Sequence, residues 1–373
     1  MVECRDNDLD AMLLKQLKVR LEIESIPTYA EYEFTSNPKQ YYFNWKARKG
    51  LLPTVGGLRK NGTSVIIEDV AFPLIQLADA CLAMKELFKK HEYHDAVLFG
   101  HALEGNLHLV FSQDFSNQNE VDRYEKLMSE LVKIVVDRFK GSLKAEHGTG
   151  RNMAPFVEKE WGNAAYEIMK RIKNIFDPNN KINPDVLINP DPKAHLKNLK
   201  PMPESHAIVD KCMECGFCEP HCVSEGLTLS PRQRIVIARE ISRLEATNED
   251  SIRLAAILKD VTYQLDETCA TDGLCALACP VNIDTGKFVK TWRAKELSSG
   301  NKKVAAYIGS HMAGTTATLR VGLKIVSFCH SVFGTKIMTT LSNGLHYISF
   351  GNVPKWIPEM PKGANKINTN QQQ

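Results

Sequence analysis

Between Cys212 and Cys279 the chain holds seven of its ten cysteines. Cys212, Cys215, Cys218 and Cys222 follow the spacing C-x2-C-x2-C-x3-C, so three thiolates on one tight loop aim soft sulfur donors at a common centre. That spacing is an iron-sulfur run, in which the fourth cysteine ligates the other cluster of a pair. Cys269, Cys275 and Cys279, followed by Pro280, fit the same template as C-x2-D-x2-C-x3-C-P, with Asp272 in a cysteine's place. Crossed pairing gives one cluster to Cys212, Cys215, Cys218 and Cys279, and a second to Cys269, Asp272, Cys275 and Cys222. Carboxylate oxygen is a harder donor than thiolate, so the Asp272 cluster is expected to hold one labile iron and to fall from a 4Fe-4S to a 3Fe-4S form. Structural zinc ordinarily takes paired C-x2-C knuckles, and the third cysteine and the trailing Cys-Pro argue against it. The same cysteines could instead form disulfides, or Asp272-Gly273 could be a plain turn with ligation from elsewhere.

A second group of chemically capable residues precedes the cysteines. His101 and His108 flank Ala-Leu-Glu-Gly-Asn-Leu, and Glu146-His147-Gly148-Thr149-Gly150-Arg151 follows later. Alternation from Asn106 to Val110 puts Asn106, His108 and Val110 on one strand face. Two imidazoles and a carboxylate could bind zinc or another divalent ion with one position open for substrate. By spacing alone the signal is weak, and such residues are more often surface or hydrogen-bonded ones.

The stretches Gly100–His108 and Ala145–Arg151, with Phe176-Asp177-Pro178 through Asn183-Pro184, resemble the signature motifs of the FAD-linked oxidase C-terminal domain. This is the family of flavin-dependent D-lactate, glycolate and D-2-hydroxyglutarate dehydrogenases. Adding ferredoxin-type cysteine runs on one polypeptide resembles the long respiratory D-lactate dehydrogenases, and the resemblance covers most of residues 40 to 360. Leu103-Glu104-Gly105-Asn106 stands where the wider family usually reads Gly-Asp-Gly-Asn, and Val110 where some relatives place a polar residue near substrate.

The resemblance implies that His101, His108 and Glu146 hold a zinc or manganese ion, that His147 is the general base, and that Arg48 pairs with the substrate carboxylate. Oxidising a 2-hydroxy acid removes the hydroxyl proton and a hydride; histidine titrates in a useful range and arginine offers two parallel donors to a carboxylate. FAD would take the hydride, and two iron-sulfur clusters would pass electrons singly to a quinone or cytochrome. No G-x-G-x-x-G or P-loop is present, so FAD is expected mainly from a separate FAD-binding domain or subunit, the chain being a fragment or a partner of that subunit. The rival expectations are a non-catalytic iron-sulfur electron-transfer subunit docking a flavoprotein, and a glycolate oxidase-type enzyme.

The elements that must carry these residues follow from periodicity. Apolar positions predict a helix over Asp8–Ile23 and another over Pro38–Lys49 closed by Gly50. Strands are expected at Ser64–Val70, Ala96–Phe99 and Leu107–Phe111, with helices from Pro73 to His91, Asn119 to Phe139 and Pro155 to Ile175. The fold class is therefore α+β, a ferredoxin-like substrate or cap domain with helices on one sheet face, followed by a mostly helical two-cluster ferredoxin domain. A proline-bearing linker near Asn189–Ser205 gives domains at 1–200 and 201–300, then a helical extension with a disordered tail at 301–373. Ser230 followed by Pro231 marks a helix start inside the cysteine region.

With 43% hydrophobic and 24% charged residues the composition is ordinary for a globular protein, and a net charge of +3 gives no argument for nucleic acid. The acidic N-terminus lacks an apolar h-region, no run of 18 apolar residues occurs, and the cysteine usage fits a reducing compartment. A cytoplasmic location is expected, with Val304–Leu345 lying against a partner or another domain, or peripherally on the inner face of the membrane.

Overall fold

The computed structural model describes residues 2–27 and 31–364. Two compact units result, Met1–Lys290 and Thr291–Gln373. The tail expected to be disordered lies outside the described residues from 365 onward.

Helix α1 spans Leu9–Glu24, and its first turn is capped where Ala11 N–H donates to the Asp8 carboxylate at 2.8 Å. Helix α2 covers Pro38–Leu58, capped by Asn37 accepting from Lys39 N–H. Sequence reasoning closed this helix at Gly50, but it continues through Gly50 and Pro53. Pro53 has no N–H to give Lys49, and glycine costs about 1 kcal/mol in a helix interior. Packing overrides both, because a Cβ on Gly57 would lie 2.2 Å from Val281 Cγ1 and one on Gly56 would lie 2.7 Å from Met213 Sδ. Only glycine lets the end of α2 come this close to the cysteine-bearing segment.

Strand β1 (Ser64–Ala71) leads through helix α3 (Leu77–Lys90) to β2 (Val97–Phe99) and β3 (Asn106–Gln113). The three strands form one antiparallel sheet in the order β1-β3-β2, to which Ser142 adds an isolated bridge at Ala71. Helix α4 (Gln118–Val132) continues as π-helical turns to Arg138. Val70, Leu107, Leu109 and Phe111 meet Met84, Leu87 and Phe88 of α3 and Tyr124, Leu127 and Leu131 of α4 in one buried cluster. With a side-chain period of two, the opposite face of β3 carries Asn106, His108 and Val110. Helix α5 (Val157–Phe176) is broken at Gly162, whose φ of 78° is left-handed, an interruption that the helical pattern did not announce.

Irregular chain follows, ordered locally by Asp177, whose carboxylate accepts the Lys181 and Ile182 N–H groups at 2.8 Å each. Helix α6 (Pro231–Thr247) opens with Ser230 and Gln233 in a reciprocal capping box, where the sequence placed a start. Helices α7 (Ser251–Val261), α8 (Leu274–Ala278) and α9 (Thr285–Glu296) complete the cysteine region. The second unit holds α10 (Ser299–Ser310) and α11 (Met312–Ile348), the latter broken at Gly334. Neither buries a residue, and Leu319, Ile325, Phe328, Val332 and Leu341 of α11 are all exposed. Among the described residues no helix is long and apolar enough to cross a membrane. The protein is thus a mixed helical chain with a small antiparallel sheet and a mostly helical C-terminal region.

Candidate functional site

Strand register builds the first centre. Asp69 of β1 lies directly opposite His108 of β3, and Phe99 of β2 faces His108 from the other side; partners directly opposite share a sheet face. The tight turn that returns the chain from His101 to His108 needs Gly105, left-handed at φ 65°, where a Cβ would fall 2.1 Å from Phe72 O. His101 therefore stands at the rim, 5.5 Å from the His108 ring.

Glu146 reaches this face from the loop after the Ser142 bridge. Its Oε1 lies 2.9 Å from His108 Nε2, 3.5 Å from His101 Nε2 and 3.4 Å from His147 Nε2. Ligand atoms of His101, His108 and Glu146 all lie within 4.8 Å of one another. The His147 ring stacks on His108 at 5.2 Å, and Arg48 Nη2 is 3.5 Å from both His101 ring nitrogens, its guanidinium lying over Trp45. Four residues singled out as one ligand set and its base, and the arginine assigned to substrate, thus converge from three separate segments. Burial lowers the His108 pKa, with Glu146 opposing, which favours the neutral imidazole that can ligate. Its Nδ1 and Asn106 Oδ1 are buried without a partner. Two imidazoles around one carboxylate oxygen, beside unsatisfied polar atoms, fit a divalent cation.

Sequence reasoning missed Asp69. Its carboxylate, fully buried, accepts the consecutive backbone N–H groups of Ala145, Glu146 and His147 at 3.0, 2.7 and 3.3 Å. Oδ1 lies 3.2 Å from Lys144 Nζ and 3.3 Å from His147 Nδ1. Burial would raise this carboxyl, but the Glu146 N–H and Lys144 outweigh it and hold it below the usual range. Lys144 also pairs with Glu68 at 2.7 Å, and the two carboxylates keep its ammonium charged above the ordinary lysine range despite burial. The available signal was Glu68-Asp69, two acids in the middle of an apolar strand.

The cysteines gather in two pockets. Cys212, Cys215, Cys218 and Cys279 line one, together with Pro53 of α2, Phe217, Ile235 and Val281. Cys222, Cys269, Asp272 and Cys275 line the other, with His221 and Arg234. None of the ten cysteines is joined in a disulfide, and sulfur donors facing a common space are what iron-sulfur clusters require. Asp272 lines its pocket while Oδ1 accepts the Leu274 N–H at 3.0 Å, so the turn is formed and the carboxylate still borders the cavity. Burial pushes Cys218 up to about 12 and raises Cys212. Burial acts the same way on Cys222, but Ser224 and Arg234 outweigh it and lower its pKa.

Two buried arginines outside the expected set hold the first pocket's loop. Arg59, just past α2, donates to the carbonyls of Asp210, Lys211 and Cys212 at 3.0, 2.9 and 2.8 Å. Arg239 of α6 also donates to Cys212 O at 2.8 Å and pairs with Glu214 at 2.8 Å. Helical periodicity placed Arg234 and Arg239 on the buried face with Ile235 and Ala238, which was the readable sign of an internal role.

Comparison with known proteins agrees with this layout. Residues 12–187 match the model for FAD linked oxidases, C-terminal domain, and residues 208–283 match the 4Fe-4S dicluster domain. The glycolate oxidase subunit GlcD of Bacillus subtilis is 29% identical over 151 residues, 40% of this chain and 31% of that protein. D-2-hydroxyglutarate dehydrogenase of Haemophilus influenzae is 26% identical over 300 residues, covering 67% of this chain and 29% of the relative. The mitochondrial cytochrome-type D-lactate dehydrogenase of Arabidopsis thaliana is 30% identical over 181 residues, 48% of this chain and 31% of that protein. The chain thus spans about a third of the length of these curated relatives. The half that holds the sheet centre is thus similar to an FAD-linked oxidase C-terminal domain, and the half that holds the paired cysteine pockets, on the same polypeptide, to a 4Fe-4S dicluster domain.

Proposed function

We propose that this chain supplies the hydroxy-acid site and the iron-sulfur relay of a flavin-dependent D-2-hydroxy acid dehydrogenase, with D-lactate as substrate. The convergence of His101, His108, Glu146, His147 and Arg48 on one sheet face carries this reading. Names of the relatives, which include D-lactate and D-2-hydroxyglutarate dehydrogenases, support the substrate class. The β1-α3-β2-β3-α4 order supports a ferredoxin-like cap for this half.

His101, His108 and Glu146 would hold a zinc or manganese ion, which would polarise the substrate hydroxyl. Arg48, exposed at the rim, offers its guanidinium to the substrate carboxylate. Asp69 Oδ1, 3.3 Å from His147 Nδ1, would favour a proton on that nitrogen and leave Nε2, which lies 3.4 Å from Glu146 Oε1, to receive the hydroxyl proton, the orienting logic of a base held by a carboxylate. FAD, carried by a separate domain or subunit, supplies hydride acceptance. The cysteines and Asp272 of the two pockets would hold iron-sulfur clusters, which would supply single-electron transfer toward a quinone or cytochrome on the cytoplasmic side.

The test is a panel of D-2-hydroxy acids with an artificial dye acceptor, run on this chain together with its FAD-bearing part. D-Lactate turnover should require the divalent ion, and His101→Ala should abolish both metal retention and turnover. Retention of metal and rate in His101→Ala would refute the ligand role. Iron present without one equivalent of zinc or manganese would leave only an electron-transfer subunit.

A further inference from the structure

Arg234 of α6 is only 1% exposed. Its guanidinium donates through Nε to Leu265 O at 3.1 Å, through Nη2 to Ser224 Oγ at 2.7 Å, and through Nη1 to Cys222 Sγ at 3.6 Å. Ser224 Oγ itself lies 3.1 Å from the same sulfur. Among the described residues no carboxylate pairs with Arg234, whereas the neighbouring buried Arg239 is matched by Glu214. A guanidinium held out of water without a counter-charge is strongly unfavourable. The anion in contact with Arg234 is sulfur, in the thiolate form that a cluster ligand takes.

The two cysteine pockets differ in this respect. Around Cys212, Cys215, Cys218 and Cys279 the walls are largely apolar, and the cation there, Arg232, is partly exposed and paired with Glu219 at 3.0 Å. Beside Cys222, Cys269, Asp272 and Cys275 the wall includes the unmatched Arg234. In the second set Asp272 replaces one thiolate by a carboxylate of equal charge. Buried Arg59 and Arg239 back the first set but direct their donors to loop carbonyls and Glu214, so Arg234 is distinguished as the buried cation that donates directly to a ligand sulfur. Cluster potentials respond to net charge and to hydrogen bonds on sulfur. A buried cation donating to a ligand sulfur favours the reduced, more negative state.

We propose that Arg234 raises the reduction potential of the Cys222, Cys269, Asp272 and Cys275 cluster above that of its neighbour and so sets the direction of electron flow. The neighbouring pocket abuts Pro53 of α2, the helix that also carries Arg48, and is the entry side. The Arg234 side is the exit. In the step between them one electron leaves the entry cluster, which is oxidised, and enters the exit cluster, which is reduced; no bond changes and no proton moves. Electrons come from the hydroxy acid by way of FAD and leave to a quinone or cytochrome. This inference rests on the proposed function in that both pockets hold clusters and that electrons enter from the hydroxy-acid side.

The experiment is a redox titration of the full chain, loaded with iron and sulfide without oxygen and followed by electron paramagnetic resonance. Cys222→Ser identifies the exit-side signal. Arg234→Leu should lower that cluster's midpoint enough to shift the electron's distribution between clusters at least tenfold, about 59 mV for one electron. The other midpoint should stay in place, and Arg234→Lys, which keeps the charge, should retain the order. Unchanged midpoints in Arg234→Leu, or equal movement of both, would overturn the proposal. Should Arg234→Leu fail to hold iron, Ser224→Ala is decisive, because it removes the hydroxyl linking Arg234 to the sulfur. A smaller fall of the same midpoint supports the inference, and no change overturns it. An unmodified chain that takes up no iron would instead sink the relay itself.

Discussion

Asp69 owes its influence to two neighbours, the strand partner His108 and the loop that brings Glu146. By gathering three consecutive N–H groups it fixes the direction in which Glu146 and His147 leave the backbone. Asp69→Asn should lower affinity for zinc or manganese roughly 10- to 100-fold, the usual cost of disturbing groups that orient ligands, as measured by competitive metal titration. Lys144 is the cation for two buried carboxylates. Lys144→Met should destabilise the chain by about 3–5 kcal/mol in urea unfolding, because breaking a buried pair leaves charge uncompensated. Asp177 gives a pH-dependent counterpart. Lys173, with the Lys181 and Ile182 N–H groups, holds its pKa at about 2. Its contribution to stability is complete above the ordinary carboxylate value of roughly 3.9 and disappears as pH falls from there through about 2. Asp177→Asn should flatten that part of the melting-temperature profile, and an unaltered acid limb would count against the pair.

At the scale of elements, α2 shows how far tertiary packing departs from local signals. Gly50 and Pro53 read as terminators, and in isolation they would be. The contact of Gly57 on Val281 rewards continuation, and it is set by a residue far along the chain, beyond any local window. Gly57→Ala should cost about 1–3 kcal/mol through overpacking. Combining it with Val281→Ala should recover much of that loss, a coupling measurable by a double-mutant cycle. The helix start at Ser230-Pro231 and the alternation in β3 were legible because each is encoded within a few residues. By contrast, the roles of Arg59 and Arg239 depend on carbonyls that only the folded loop presents, so spacing announced nothing for Arg59 and only burial for Arg239.

Across the whole molecule, the candidate ligand groups were legible before their surroundings. The cysteine runs are marked by spacing, and His101, His108 and Glu146 by the resemblance of their motifs, whereas the partners of Asp69 and Arg234 became visible only once strands and helices were placed. Order is also uneven. Strands β1 and β3 and helices α3 and α4 share one buried cluster, while α1, α10 and α11 bury no residue. Hydrogen exchange should therefore protect β1, β3 and α4 longest and release α1 and α11 first; uniform protection across these elements would contradict the packing described.

Helix α2 also imposes a rule on the chain's history. Arg48 at its midpoint and Arg59 just past its C-terminal end serve different centres, and the stretch from Arg48 to Leu58 is a rod of about 15 Å. Side chains along it can be exchanged, yet adding or deleting a single residue would swing one end by about 100° relative to the other. Variation here should be confined to replacement. Natural insertions and deletions ought to collect in the loops on either side, leaving the count between the two arginines constant.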